Sequence, residues 1–280
     1  MHRNTDILNA DITIDEIKLA EASLKNGKSS GLDGVPPEAI KYAPHIFLVF
    51  LHKLFNICFI SGVYPESWKT GVIVPVYKKG SKRDPSNFRP ITVLNVYNKI
   101  FTKILTDRLN GWLEDHGILS HAQSGFRSSY STIDSCFVLS SVIEVILSRP
   151  KGRLFTAFID FKSAFDRIQR SILFKKLYGM GIEGRFFAIL LAMYDNVKAC
   201  VKCKDGLSPS FHCPKGVRQG CNLSPILFSL FINDLEQCLS SSGFNGVKIN
   251  SRNICCLLYA DDLVLLSDNA LSLQGLLNTL

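Results

Sequence analysis

Apolar residues recur with two different periods along this chain, and the switches between them outline its elements. Thr13-Ile14-Asp15-Glu16 has the form of a capping box, and Ile14, Ile17, Ala20 and Leu24 follow at helical spacing until Asn26-Gly27 stops the run. The Gly-, Ser- and Pro-rich residues 27–37 read as loop, and residues 38–60 as one long, mostly buried helix ending at Ser61-Gly62. Residues 68–77 read as a strand, in which Pro75 implies an edge or a bulge. After a loop at 78–90, Ile100, Ile104, Leu105 and Leu109 set a helical period within 91–110. A loop at 117–131 leads into a helix over 132–147, and Arg149-Pro150-Lys151-Gly152 is the sharpest break, predicting a boundary between lobes 1–150 and 151–280.

The second half alternates more regularly: a strand at 154–161, helices at 164–178 and 185–194, a hairpin-like segment at 197–213 and a Gly-rich turn. Ser224-Pro225 then supplies an N-cap and a first-turn proline for a helix over 225–239. Residues 254–260 and 263–266 are apolar runs parted only by Asp261-Asp262. Strands mixed with helices in this order predict an α+β fold with an antiparallel hairpin at its centre.

Composition narrows the class. With 46% apolar and 20% charged residues over 280 positions, the chain is neither disordered nor collagen-like. Its formal charge of +8 is concentrated: residues 69–108 hold nine Lys and Arg against Asp84 and Asp107, interleaved with Tyr77, Phe88 and Tyr97. That pattern suits a polyanionic partner as well as a solvated face. The most apolar stretch, 46–60, is interrupted by His52, Lys53 and Asn56, so no membrane span is expected, and the polar first ten residues give no secretory signal. Nine scattered cysteines fit reduced thiols in an intracellular protein. Cys200, Cys203, His212 and Cys213 lack a second paired ligand set, and zinc is not expected there.

The sharpest chemical anomaly is Tyr259-Ala260-Asp261-Asp262, because a two-residue hairpin turn ordinarily takes Asn-Gly, Asp-Gly or Gly-Gly. Two adjacent carboxylates at the rim of an apolar hairpin repel each other unless a cation neutralises them; the plainer alternative is an exposed acidic turn. Asp160 has the same design, closing the strand Phe155-Thr156-Ala157-Phe158-Ile159. It could instead cap the helix that follows, although Ser163 and Asp166 compete for that role. If the two strands are neighbours, Asp160, Asp261 and Asp262 converge as an all-oxygen set suited to Mg²⁺ or Mn²⁺ over Zn²⁺. Two hard cations beside a basic lobe point to phosphoryl transfer, with nucleotidyl transfer the natural form.

These residues also carry a resemblance. Phe158-Ile159-Asp160-Phe161-Lys162-Ser163-Ala164-Phe165-Asp166, Gly216-Val217-Arg218-Gln219-Gly220 with Leu223-Ser224-Pro225, and Tyr259-Ala260-Asp261-Asp262 resemble motifs A, B and C of reverse transcriptases, most closely those of non-LTR, LINE-type retrotransposons. Upstream, Val74-Pro75-Val76-Tyr77-Lys78-Lys79-Gly80, Asn87-Phe88-Arg89-Pro90-Ile91 and Gln123-Ser124-Gly125-Phe126-Arg127 resemble that family's fingers blocks. The resemblance implies a right-hand polymerase fold, with an N-terminal extension and fingers over 1–150 and a palm over 151–280, that copies RNA into DNA from a primer end. By the same resemblance, Asp160, Asp261 and Asp262 would hold two Mg²⁺ ions (or Mn²⁺). Arg89 and one of Lys78 or Lys79 would clamp the deoxynucleotide's β- and γ-phosphates. Phe165 would be the gate against a ribose 2′-hydroxyl, and Gln219 and Gly220 would lie against the nascent base pair. Gln123, Phe126 and Arg127 would meet the template. The implied partners are an RNA template, a DNA primer and dNTPs, within a ribonucleoprotein of the nucleus or cytoplasm.

Only eighteen residues follow Asp262, fewer than the family's later palm and thumb blocks need. The expectation is therefore a fragment with an incomplete palm and doubtful activity alone. The alternative is a catalytically inactive, RNA-binding remnant of such an element.

Overall fold

Ten strands occur among residues 3–280, which the computed structural model describes: β1 (Thr70–Tyr77), β2 (Phe88–Val93), β3 (Phe155–Asp160), β4 (Lys198–Cys203), β5 (Gly206–Leu207), β6 (Phe211–His212), β7 (Val247–Ile249), β8 (Arg252–Ile254), β9 (Cys256–Tyr259) and β10 (Asp262–Ser267). They belong to two units, each assembled from two stretches of chain: Met1–His116 with Phe165–Ser224, and Gly117–Ala164 with Pro225–Leu280. The break at 149–152 therefore falls within the second unit, as a turn in which the Gly152 amide donates to the Arg149 carbonyl at 2.9 Å. No helix among the described residues is long and apolar enough to cross a membrane.

In the first unit the strand order is β2-β1-β4-β5, with β6 also paired to β4. The β1–β2 pairing is antiparallel and sets Pro75 opposite Pro90, while β4 runs parallel to β1 and reaches only to Ile73. Neither proline has an N–H to give, so this register puts both where the ladder requires none. Helices of this unit interlock through aromatic residues: the Phe55 ring centroid lies 6.0 Å from Trp68 and 5.3 Å from Phe101. Each such fully buried ring stabilises the unit by roughly 2–3 kcal/mol.

The expected capping box is present, with Thr13 N donating to Glu16 Oε2 and Glu16 N to Thr13 Oγ1, and it starts the helix Ile14–Ala22. Glu16 also receives the buried Arg108, whose Nη2 donates to Glu16 Oε2 and to the Asp11 carbonyl, both at 2.9 Å, and whose Nη1 donates to the Ala10 carbonyl. Burial pushes the Glu16 carboxyl up, but the Arg108 and Thr13 hydrogen bonds and the Arg108 charge bring it below its ordinary value overall.

Three expectations from periodicity are corrected here. The helix at 38–60 is two helices, Pro37–Lys41 and His45–Ser61, because Pro44 cannot continue the first and caps the second. The helix expected from residue 91 begins at Val96, since Pro90 and the β-branched Ile91-Thr92-Val93 favour the extended β2. Trp68 lies in the helical turn Glu66–Lys69, and β1 begins after it.

In the second unit β10 is the centre of a three-stranded antiparallel sheet, β3-β10-β9. On one face Leu263 and Leu265 join Leu258, Leu239 and Leu276, the last from the helix Ala270–Thr279. On the other face Leu266 packs with Val142 and Ile146 of the helix Thr132–Leu147. Burial on both faces explains the unbroken apolar runs flanking Asp261-Asp262 in the sequence.

Candidate active site

The acidic constellation lies wholly in the second unit. In the β3–β10 ladder Asp262 pairs with Asp160, Leu263 with Ile159 and Val264 with Phe158. Residues directly opposite in an antiparallel pair project to the same face, with Cβ atoms about 5 Å apart, so the Asp160 and Asp262 carboxylates stand side by side. Both are exposed. Like charges in that position destabilise a sheet, and a bound cation converts the repulsion into shared coordination. Asp261 is half-buried in the adjoining turn. Among the described residues no three His, Cys, Asp or Glu side chains are gathered into a ready metal cluster. Of the three aspartates expected to converge, Asp160 and Asp262 face each other across the ladder, while Asp261 adjoins Asp262 in the turn and is not gathered with them into one cluster.

The turn has a defined build. Tyr259 pairs with Asp262 across β9–β10, so Ala260 and Asp261 form a two-residue loop. Ala260 has φ 56°, while Asp261 is not among the positive-φ residues, the pattern of a turn that favours glycine at its first central position. An alanine there costs about 1–2 kcal/mol. Gln123 meets it: Ala260 N donates to Gln123 Oε1 at 3.0 Å, and Gln123 Nε2 donates to the Ala260 carbonyl at 3.2 Å.

Gln123, expected at the template, is accordingly only 1% exposed. Its neighbours run beside β9, with Leu258 N donating to the Ala122 carbonyl at 2.8 Å and Ser124 N to the Leu258 carbonyl at 3.0 Å. Phe126 is exposed with φ 63°. Arg127 donates to the Ser120 carbonyl at 3.3 Å and lies over the Tyr130 ring at 4.4 Å. An apolar groove formed by Cys136, Leu139, Phe158, Leu257 and Val264 adjoins the two carboxylates. Phe158, 72% exposed, is a feature that sequence reading passed over. Its signal was the two-residue period of β3, which puts it on the Asp160 face.

The residues expected to hold the nucleotide lie in the first unit. Lys78 and Lys79 open the loop between β1 and β2, and Arg89 lies on β2 opposite Val76. All three are exposed and, among the described residues, none has an ion-pair partner. Tyr77 and Phe88 brace the hairpin edge to face at 5.6 Å, and Lys82 lies over the Tyr77 ring. An unneutralised basic edge of this kind attracts phosphates.

The loop Gly216-Val217-Arg218-Gln219-Gly220 is fastened within the same unit. Thr92 N donates to the Gln219 carbonyl at 2.7 Å, and Val217 N to the Phe165 carbonyl at 2.9 Å. Gly220 has φ 111°, and a Cβ on it would lie 2.3 Å from the Thr92 oxygen, so the contact admits only glycine. The buried Arg218 donates from Nη1 to the Trp68 carbonyl and from Nη2 to the Met193 carbonyl. Gln219 Nε2 donates to Asp166 Oδ2 at 3.3 Å. Burial raises the Asp166 carboxyl above its ordinary value, against that hydrogen bond. Phe165 is half-buried, and its neighbour Ser163 has φ 54°.

The chain is similar to known proteins along most of its length. The profile of the family described as "Reverse transcriptase (RNA-dependent DNA polymerase)" matches residues 76–280. The chain is 28% identical over 276 residues to a "Probable RNA-directed DNA polymerase from transposon BS" of Drosophila melanogaster, which covers 96% of this chain and 30% of that protein. It is 30% identical over 267 residues to a Pol polyprotein from a type-1 retrotransposable element R2 of Popillia japonica, covering 92% of this chain and 35% of the relative. The chain thus spans roughly a third or less of the length of these curated relatives. Apo telomerase from Candida tropicalis, truncated from the C-terminal domain, superposes with a TM-score of 0.54 at 16% identity, covering 81% of this chain and 51% of that one. That likeness speaks for the fold alone, the α+β right-hand polymerase fold expected from the motifs.

Proposed function

The chain belongs to the reverse transcriptase family, and from that premise we propose that it is the RNA-directed DNA polymerase core of a non-LTR retrotransposon, extending a primer 3′-hydroxyl with dNTPs along an RNA template. In this reading residues 1–150 carry the N-terminal extension and fingers, residues 151–280 the palm, and the chain works within an intracellular ribonucleoprotein. The observation that carries it is the facing of Asp160 and Asp262 across β3–β10, beside the turn that holds Asp261.

Exposed carboxylates on one sheet face fit hard divalent cations, and Asp160, Asp261 and Asp262 would hold Mg²⁺ there. Bound Mg²⁺ supplies a lowered pKa for the attacking hydroxyl and charge stabilisation at the leaving oxygen. The chain's own residues do the rest. Lys78, Lys79 and Arg89 neutralise and orient a triphosphate, for which they are available because none has an ion-pair partner among the described residues. Phe165 limits the room for a 2′-hydroxyl, and the Gln219-Gly220 backbone, pinned to Thr92, provides a fixed surface for a base pair. Phe126 and Arg127 face the template.

The test is Mg²⁺-dependent primer extension on an RNA template, with Asp160→Asn and Asp262→Asn as comparators. Extension that both substitutions abolish supports the proposal. Salt-sensitive RNA binding with no extension, unchanged by either substitution, overturns it in favour of an inactive RNA-binding remnant.

A further inference from the structure

The turn that carries Asp261 and Asp262 is gripped from behind by one amide side chain 137 residues away in sequence. Gln123 Oε1 accepts from both Ala260 N and Gly125 N, at 3.0 and 2.8 Å, and Gln123 Nε2 donates to the Ala260 carbonyl. A two-residue turn that is otherwise free to rock about its strand ends is thereby tied at both polar groups of its left-handed residue. The approach is close: a Cβ on Gly125 would lie 2.1 Å from Ala260 N and 2.8 Å from its Cα. The grip is also braced, because the parallel bridge of Gln123 to Leu258 and the bond between Ser124 Oγ and Ser135 Oγ hold the segment to its surroundings.

We propose that Gln123 is a positioning residue for the metal-binding carboxylates, a role that rests on the polymerase reading of this site. By fixing the N–H and C=O of Ala260, it fixes the peptide planes on either side of that residue and so the directions in which Asp261 and Asp262 leave the turn. It touches neither metal nor nucleotide and acts only through Ala260. Residues that hold a ligand's supporting atoms in this way typically change metal affinity by ten- to a hundredfold when replaced.

The experiment is Mn²⁺ binding to the full 280-residue chain, followed by the EPR signal of the free ion without nucleotide or nucleic acid. Gln123→Met keeps the length and apolar stem of the side chain but can neither donate to nor properly accept from Ala260. It is expected to weaken Mn²⁺ binding about tenfold, a readout that a purely structural role, visible only as lowered stability, would leave unmoved. Unchanged affinity in Gln123→Met overturns the positioning role while the site survives. If the wild-type chain binds Mn²⁺ no better than Asp262→Asn, the site itself falls, and the proposal with it. Should Gln123→Met not fold, the wild type decides: the Ala260 amide must be strongly protected from hydrogen exchange in the metal-free chain, and rapid exchange overturns the grip.

Discussion

Replacing Asp262 by Asn should have opposite effects on stability with and without a divalent metal. The side chain keeps its shape and loses only its charge, directly across the ladder from Asp160. Two unit charges about 5 Å apart repel by about 0.8 kcal/mol in water, and screening over a Debye length of about 8 Å at physiological salt roughly halves this. In chelator, therefore, Asp262→Asn should stabilise the β3–β10 pair by about 0.4–0.8 kcal/mol. In Mg²⁺ at ten times its dissociation constant, the wild type gains about 1.4 kcal/mol by mass action, which the variant largely forgoes. The order of stabilities then reverses. Tryptophan emission does not report on this unit, because Trp68 and Trp112 are the chain's only tryptophans and both lie in the other. Hydrogen–deuterium exchange on peptides spanning Phe155–Asp160 and Asp262–Ser267 reads it directly. A variant that exchanges faster than wild type in EDTA, or that Mg²⁺ slows as much as wild type, would refute the reasoning.

Other expectations concern the first unit, where tryptophan emission is the natural probe. Arg108→Met leaves Glu16 and three backbone carbonyls without their partner, and should cost about 3 kcal/mol in urea unfolding; a loss under about 1 kcal/mol would show the ion pair to be incidental. The Glu16 carboxyl is held below its ordinary value in the folded chain, so its contribution is complete above the unfolded value near 4.5 and is lost as pH falls through the lower folded one. The urea midpoint should thus drop on acidification below about pH 4.5, and Glu16→Gln should shrink the drop; an identical acid profile in the variant would contradict this. Gly220→Ala must move the Thr92 backbone or abandon φ 111°, and should destabilise the unit on the order of 2 kcal/mol, measured by the same urea midpoint.

Local chemistry in the sequence announced the parts of this molecule that are built locally. The Thr13–Glu16 cap, the strand ending in Asp160 and the hairpin around Asp261-Asp262 all follow from residues within a few positions of one another. Where a single proline decides, periodicity misled: Pro44 divides an apolar run that looks continuous, and Pro90 extends a segment whose spacing suggested helix. What could not be read at all depends on partners distant in the chain. The parallel joining of β4 to β1 and the hold of Gln123 on Ala260 leave no local pattern, since any buried glutamine in a Gly- and Ser-containing loop looks like an ordinary turn residue. A resemblance to a family could suggest that this loop matters, yet only the fold reveals which atoms it grasps.

The groove beside the two carboxylates has a practical side. Cys136, on its wall, is one of three exposed cysteines, with Cys203 and Cys238. Changing the latter two and the half-buried Cys213 to serine leaves Cys136 as the one cysteine that is not buried, a ready attachment point for a fluorophore or nitroxide. The molecule thus comes with a built-in address at which arriving ions could be watched by quenching or paramagnetic broadening, with no new residue introduced near the aspartates.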